Sequence, residues 1–215
     1  MLNLPDQEIL LHACMAMPLF PLPRVVLFPN TILRLHIFEP RYVQLLEDCM
    51  AGNQLMAIPM LKSTLGFESI PSIHPISGVG MVVYSEALED NRYNIALLGL
   101  RRIHIREELK SDRLYRIAKA ELLDETWESE EFDIVSMKQL LTQLVIQNPH
   151  LSGSLEALLK EDISAYKMLN ILAHLMFRDT AKRQQFIEKN SLCDRASLLE
   201  ECLADLLMRG NTISE

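Results

Sequence analysis

Two periodicities divide the chain. From Met17 to about Leu123, apolar residues recur mostly at every second position, the mark of strands with one buried face. Leu33, Leu35 and Ile37 alternate with Arg34 and His36, and Ile103 and Ile105 alternate with Arg102, His104 and Arg106. Gly80–Tyr84 and Tyr93–Leu98 are apolar or β-branched runs bounded by turn residues, with Gly78 and Gly80 at the start of the first. Asp90-Asn91 between them suits a hairpin turn, because both side chains can bond the local backbone. One helix interrupts the strands. Glu39 is placed to accept from the free N–H groups at its start, Pro40 suits the first helical position, and Gly52 suits a left-handed stop. Tyr42, Leu45, Leu46, Cys49 and Met50 share its apolar face. Residues 62–77, with Pro71 and Pro75, read as an irregular loop long enough to suggest a role.

After Asp124 the period becomes 3.6. Ile134, Met137, Leu141, Leu144 and Val145 form one helical stripe, ended by Pro149, and residues 151–160 form a shorter helix. Residues 163–177 are apolar almost throughout and are expected at the centre of a helical bundle. Residues 181–189 follow. A last stripe of Leu199, Cys202, Leu203, Leu206 and Leu207 lies between Asp194 as N-cap and Gly210 beyond the C-terminus. The acidic stretch 124–131 marks the junction. The expectation is an α+β chain: an N-terminal extension over 1–16, a β-domain with one inserted helix over 17–123, and a C-terminal α-helical bundle over 124–215.

Composition adds little to the fold and more to the partners. Of 215 residues 49% are hydrophobic, 23% are charged and only 7 are glycine, an ordinary globular balance without low-complexity tracts. The net charge of −8 is uneven: residues 1–122 carry 12 basic and 13 acidic side chains, and residues 123–215 carry 9 and 16. The acidic C-terminal part is a poor grip for a polyanion. Cys14, Cys49, Cys193 and Cys202 show no CxxC spacing, so reduced thiols in a cytoplasmic protein are expected. No apolar run approaches the roughly 18–20 residues that span a bilayer, and Asp6 and Glu8 stand where a signal peptide carries positive charge.

Five blocks, in order, carry a family resemblance. Met17-Pro-Leu-Phe-Pro-Leu-Pro23, Val25-Val-Leu-Phe-Pro29 and Leu35-His-Ile-Phe-Glu-Pro-Arg-Tyr42 open the pattern. Gly78-Val-Gly80 and the run from Asn91 to Ile105 continue it, and the helical spacing of 179–207 closes it more loosely. Together they resemble the substrate-binding domain of Lon proteases in its free-standing bacterial form, without ATPase or peptidase parts. The resemblance implies a six-stranded, PUA-like pseudo-barrel followed by a helical bundle, and a role in protein or peptide recognition rather than catalysis. Residues 1–16 have no counterpart in the pattern.

The chemistry agrees with a non-enzymatic reading. The chain has no GxxxxGK[ST] phosphate loop, no GxSxG elbow and no HExxH. Gly78-Val-Gly80 is only a Gly-x-Gly fragment inside a strand. His36 and His104 lie on polar strand faces, His174 reads as a satisfied core histidine, and Cys49 as a small buried hydrophobe. Glu39-Pro-Arg-Tyr42 reads as a strand–helix corner in which Arg41 pairs with a carboxylate or a carbonyl. No catalytic residue, cofactor or metal is expected. The expected partners are unfolded or exposed apolar protein segments, with no membrane, and Arg34, His36 and Phe38 of one strand and Phe67 and Ile70 of the loop are the contact candidates. A protease is a further expected partner. The alternative is an RNA-binding module using Arg101, Arg102 and Arg106. The segment 101–119 holds seven Lys/Arg against three Asp/Glu. It lacks interleaved aromatics, and the chain has a pI near 5.3; a solvated strand face is therefore expected there, and nucleic acid is not the expected partner.

Overall fold

The computed structural model describes residues 4–62, 71–124, 134–147 and 163–209, with 153, 155, 158 and 159 between the last two. The chain falls into two compact units, Met1–Asp124 and Glu125–Glu215, and the described residues hold one six-stranded sheet and six α-helices, an α+β fold.

In the first unit, α1 (Gln7–Cys14) starts at Asp6, whose carboxylate accepts from the Ile9 N–H at 2.9 Å. The strands are β1 (Met17–Leu19), β2 (Ile32–Ile37), β3 (Leu55–Ile58), β4 (Ile76–Leu88), β5 (Arg92–Leu109) and β6 (Arg116–Leu122), with α2 (Pro40–Ala51) between β2 and β3. Their order is β2-β5-β4-β3-β1-β6, and β5 also pairs with β6. Five strands therefore form a continuous ring of ladders, and β2 hangs on the outside of β5. One strand serves three neighbours because β5 is 18 residues long. Its Tyr93–Leu98 part pairs with β2, its Ile103–Leu109 part with β6, and β4 runs along its other side.

The sheet carries a core on each face. Met56 and Ile58 of β3 join Leu27, Ile37, Leu45, Leu46, Cys49 and Leu97 in one cluster. Leu55 and Ala57 join Met17, Leu19, Ile103 and Ala118 in the other. A strand buried on both faces loses its alternation, which is why β3 leaves no period-two signal. Helix α2 covers the first cluster with Tyr42, Val43, Leu45, Leu46 and Cys49, while Met50, assigned to that face by periodicity, is 42% exposed. Helix α1 supplies Leu10, Ala13 and Cys14 to the second cluster, so the N-terminal stretch packs with the core.

Several local expectations change. Glu39 precedes α2, but its carboxylate makes no cap bond; it accepts from Arg41 Nε at 2.9 Å instead. Gly52 is not left-handed (φ −112°), and Gln54 takes that conformation two residues later (φ 63°). The β4–β5 turn places both Asp90 (φ 58°) and Asn91 (φ 55°) in the left-handed region that matches hairpin twist. Arg102 is the largest correction. Between Val79 and Gly80 the ladder slips, so that Arg101 faces Val79 while Gly99 faces Gly80, leaving Leu100 as the extra residue. That bulge hands the odd positions of β5 from one core to the other: Ile95 and Leu97 belong to the first cluster, Ile103 and Ile105 to the second. Arg102 points away from Ile103 and Ile105 into a region that is also covered, and it is 0% exposed rather than part of a solvated face.

In the second unit, α3 (Ile134–Gln147) buries Met137, Leu141 and Leu144. Helix α4 (Ala165–Met176), capped by Ser164, is buried at Met168, Leu169, Leu172 and Ala173. Helices α5 (Thr180–Glu188) and α6 (Leu192–Arg209) follow; α6 packs against both α3 and α4. Asp194 lies inside α6 rather than at its cap: the hydroxyl of Ser191 accepts the Asp194 N–H at 3.3 Å. Arg195 is fully buried, donates to the Lys189 carbonyl at 3.0 Å and lies 5.8 Å from the Tyr166 ring centre. The expected stop at Gly210, the junction 125–131 and Pro149 fall outside the described residues.

Candidate peptide-binding edge

Strand β2 pairs with β5 alone among the described residues, so one of its sides is an open edge. Its alternation is as the sequence requires: Leu33, Leu35 and Ile37 turn toward the first core, and Ile32, Arg34 and His36 turn outward. The register then assembles two rows on the outer face. Arg34 lies beside Ala96, which lies beside Tyr84; His36 lies beside Asn94, which lies beside Glu86. Small Ala96 between two long side chains makes a notch, part of a shallow groove of about 410 Å³ bounded by both rows.

The second row is a hydrogen-bonded chain. Asn94 Nδ2 donates to Glu86 Oε2 at 3.3 Å, which leaves Asn94 Oδ1 as acceptor for His36 Nδ1 at 2.9 Å. The network therefore assigns the His36 proton to Nδ1 and turns Nε2 to solvent. Tyr84 is 54% exposed, and partial desolvation together with the Glu86 carboxylate holds its hydroxyl above the ordinary range. Phe38 continues the outward series beyond β2, 62% exposed, with its ring centre 6.0 Å from that of His36. The structure thus brings Arg34, His36 and Phe38 to one outward series, while Phe67 and Ile70 lie outside the described residues. Tyr84, Glu86, Asn94 and Ala96 were not candidates, because only the strand register reveals which residues stand opposite one another.

A second hollow of about 340 Å³ lies at the strand–helix corner, walled by Pro21, Pro23, Tyr42, Leu114 and Arg116. Its polar groups are engaged. Arg41 pairs with Glu39 at 2.7 Å, the Tyr42 hydroxyl donates to the Pro21 carbonyl at 3.1 Å, and Arg116 Nε donates to Glu108 at 2.6 Å. This is the geometry of a fixed corner. Nearby, burial and the adjacent Asp48 carboxylate push the Cys49 thiol up to about 12, and its Sγ donates to the Leu55 carbonyl at 3.2 Å. A thiol so protonated packs as a hydrophobe.

The basic residues of 101–119 do not form a shared patch. Arg101 donates to the Leu123 carbonyl at 3.3 Å, Arg102 is buried, and Arg106 donates twice to Glu121 Oε2 at 2.9 and 2.6 Å. Across the same β5–β6 ladder Lys119 pairs with Glu107 at 3.1 Å and Arg116 with Glu108. Charges matched pairwise present little net field to a phosphate backbone. Among the described residues no group of three or more His, Cys, Asp or Glu is placed to hold a metal ion, and no helix is long and apolar enough to cross a membrane.

The chain is similar to solved structures at identities that speak for fold alone. The N-terminal domain of the Lon protease of the Mycobacterium avium complex matches with a TM-score of 0.72 and 10% identity, over 88% of this chain and 98% of that one. The Lon N-terminal domain protein from Xanthomonas campestris matches with a TM-score of 0.64 and 18% identity, over 86% and 97%. Among curated relatives, a Lon protease of Dictyoglomus thermophilum is 29% identical over 109 residues, and one of Chloroherpeton thalassium is 23% identical over 187. The chain spans only 14% and 22% of the lengths of those two proteases. The sequence profile of the ATP-dependent protease La (LON) substrate-binding domain matches residues 16–205. The chain belongs to the family of ATP-dependent protease La (LON) substrate-binding domains.

Proposed function

We propose that the first unit is a non-enzymatic protein-recognition module that takes extended, exposed apolar segments of client proteins along the open edge of β2. The open edge carries this reading: a row of backbone groups paired on one side only is a template for one more strand. A client strand laid beside β2 would cover the half-exposed Leu33 and Leu35 with its inward side chains and place the others beside Arg34, His36 and Phe38. Backbone hydrogen bonds would supply sequence-tolerant affinity, and the inward apolar positions would supply selection for unfolded segments. The ring of five strands with β2 outside is in keeping with a PUA-like pseudo-barrel. In the cell we place the module in the cytoplasm, as an adaptor or holdase working with a protease. The names of its relatives and its four free thiols accord with that placement.

The test is amide hydrogen exchange on the purified chain, with and without a chemically unfolded client protein diluted into buffer. Slower exchange confined to Ile32–Ile37 and the neighbouring face is the expected result. Unchanged exchange there, with client still bound, would move the recognition surface elsewhere.

A further inference from the structure

The charges around β2 restrict what can lie beside it. Of the arginines in the first unit, Arg41, Arg92, Arg106, Arg113 and Arg116 each pair with a carboxylate. Arg34 makes no ion pair among the described residues, and it stands on the outward face of the open edge strand. The acid that lines the groove with it is Glu86, already bonded to Asn94. It lies on β4, two strands in from the edge. An added strand would be one step outside β2, so three strand spacings, about 14 Å, would separate it from Glu86. That exceeds the Debye length of about 8 Å at physiological salt, whereas Arg34 would lie one spacing away, about 5 Å.

Resting on the docking reading above, we infer that the β2 edge selects extended segments with apolar residues at alternate positions and a carboxylate in the outward position beside Arg34. The inward positions meet Leu33 and Leu35, and the outward ones meet Ile32, Arg34 and His36. Opposite charges on neighbouring strands attract and like charges directly opposite repel. The same rule disfavours a second copy of this chain as the occupant. In symmetric antiparallel pairing of β2 with itself, the register centred on Arg34 sets Arg34 opposite Arg34 of the other copy, a like-charge contact.

The experiment is fluorescence anisotropy with fluorescein-labelled eight-residue peptides alternating Val with Glu, Val with Lys, and Val with Ser, against the full chain. The Glu peptide is expected to bind at least about five-fold tighter than the Lys peptide. The net charge of −8 would by itself favour the Lys peptide, so this order reports the local site. Arg34→Glu should reverse the order, and Arg34→Gln should level it, with circular dichroism melts showing both variants folded. Equal binding of the Glu and Lys peptides, or an order indifferent to Arg34, overturns the charge selection and leaves docking at β2 standing. Failure of all three peptides to bind overturns the docking reading as well. A concentration-dependent dimer in sedimentation velocity that Arg34→Glu changes would assign β2 to a second copy and overturn the inference.

Discussion

A Cβ placed on Gly78 would lie 2.0 Å from the carbonyl oxygen of Leu27. The segment carrying Leu27 and Phe28 crosses directly over the β4–β5 ladder, and Gly99 is pressed in the same way under the Phe28 carbonyl, also at 2.0 Å. Two of the blocks that carry the family resemblance, Val25–Pro29 and Gly78–Gly80, are therefore two sides of one contact. Gly78→Ala should cost about 3 kcal/mol or more, because backbone rather than a flexible side chain must give way. Urea unfolding of the variant, set beside Gly52→Ala where the nearest atom would be 3.5 Å away, measures the difference.

Helix α1 lies wholly outside the family match at residues 16–205, yet Leu10 is only 6% exposed in the second core. Leu10→Ala should destabilise the first unit by about 3 kcal/mol, whereas Ile9→Ala, at a position 42% exposed, should change it by under about 0.5 kcal/mol. Equal effects in chemical denaturation would mean that α1 does not hold its place on the sheet.

His174 should make the helical unit sensitive to acid. Its Nδ1 is buried without a hydrogen-bond partner among the described residues, contrary to the satisfied histidine expected from the sequence. Burial first, and Arg183 second, push its pKa below the ordinary value. The unfolded chain then binds the proton more readily, so stability is full at pH above the unfolded value, about 6.5, and falls as pH drops through it. The urea midpoint followed by helical circular dichroism should decrease from pH 7.5 to 5. His174→Gln should flatten that dependence, and an unchanged slope would place the titrating group elsewhere.

The two arginines that alternate in sequence should behave differently on charge reversal. Arg106→Glu disrupts an exposed pair with Glu121 and should cost on the order of 1 kcal/mol. Arg102→Glu reverses a charge at a site with no exposure and should cost about 3 kcal/mol or more. Thermal melts separate the two. In a filter-binding assay with single-stranded RNA at low salt, neither wild type nor Arg106→Glu should show saturable binding.

What was legible in the sequence was what local spacing decides. The outward turn of Arg34 and His36 against Leu33 and Leu35 follows from a period of two along a half-covered strand, and the Asp90-Asn91 turn from side chains that tolerate left-handed backbone. The apolar face of α2 and the buried run of α4 follow from the helical repeat in the same way. Tertiary structure alone decided the rest, because it depends on residues far apart in the chain. β3 has no alternation to read when both its faces are covered. Arg102 is buried because a bulge at Leu100 exchanges the two cores along β5. The groove beside β2 exists only because register sets Ala96 between Arg34 and Tyr84, and Asn94 between His36 and Glu86. Spacing along one strand fixes which way a side chain points; only pairing between strands fixes what stands beside it.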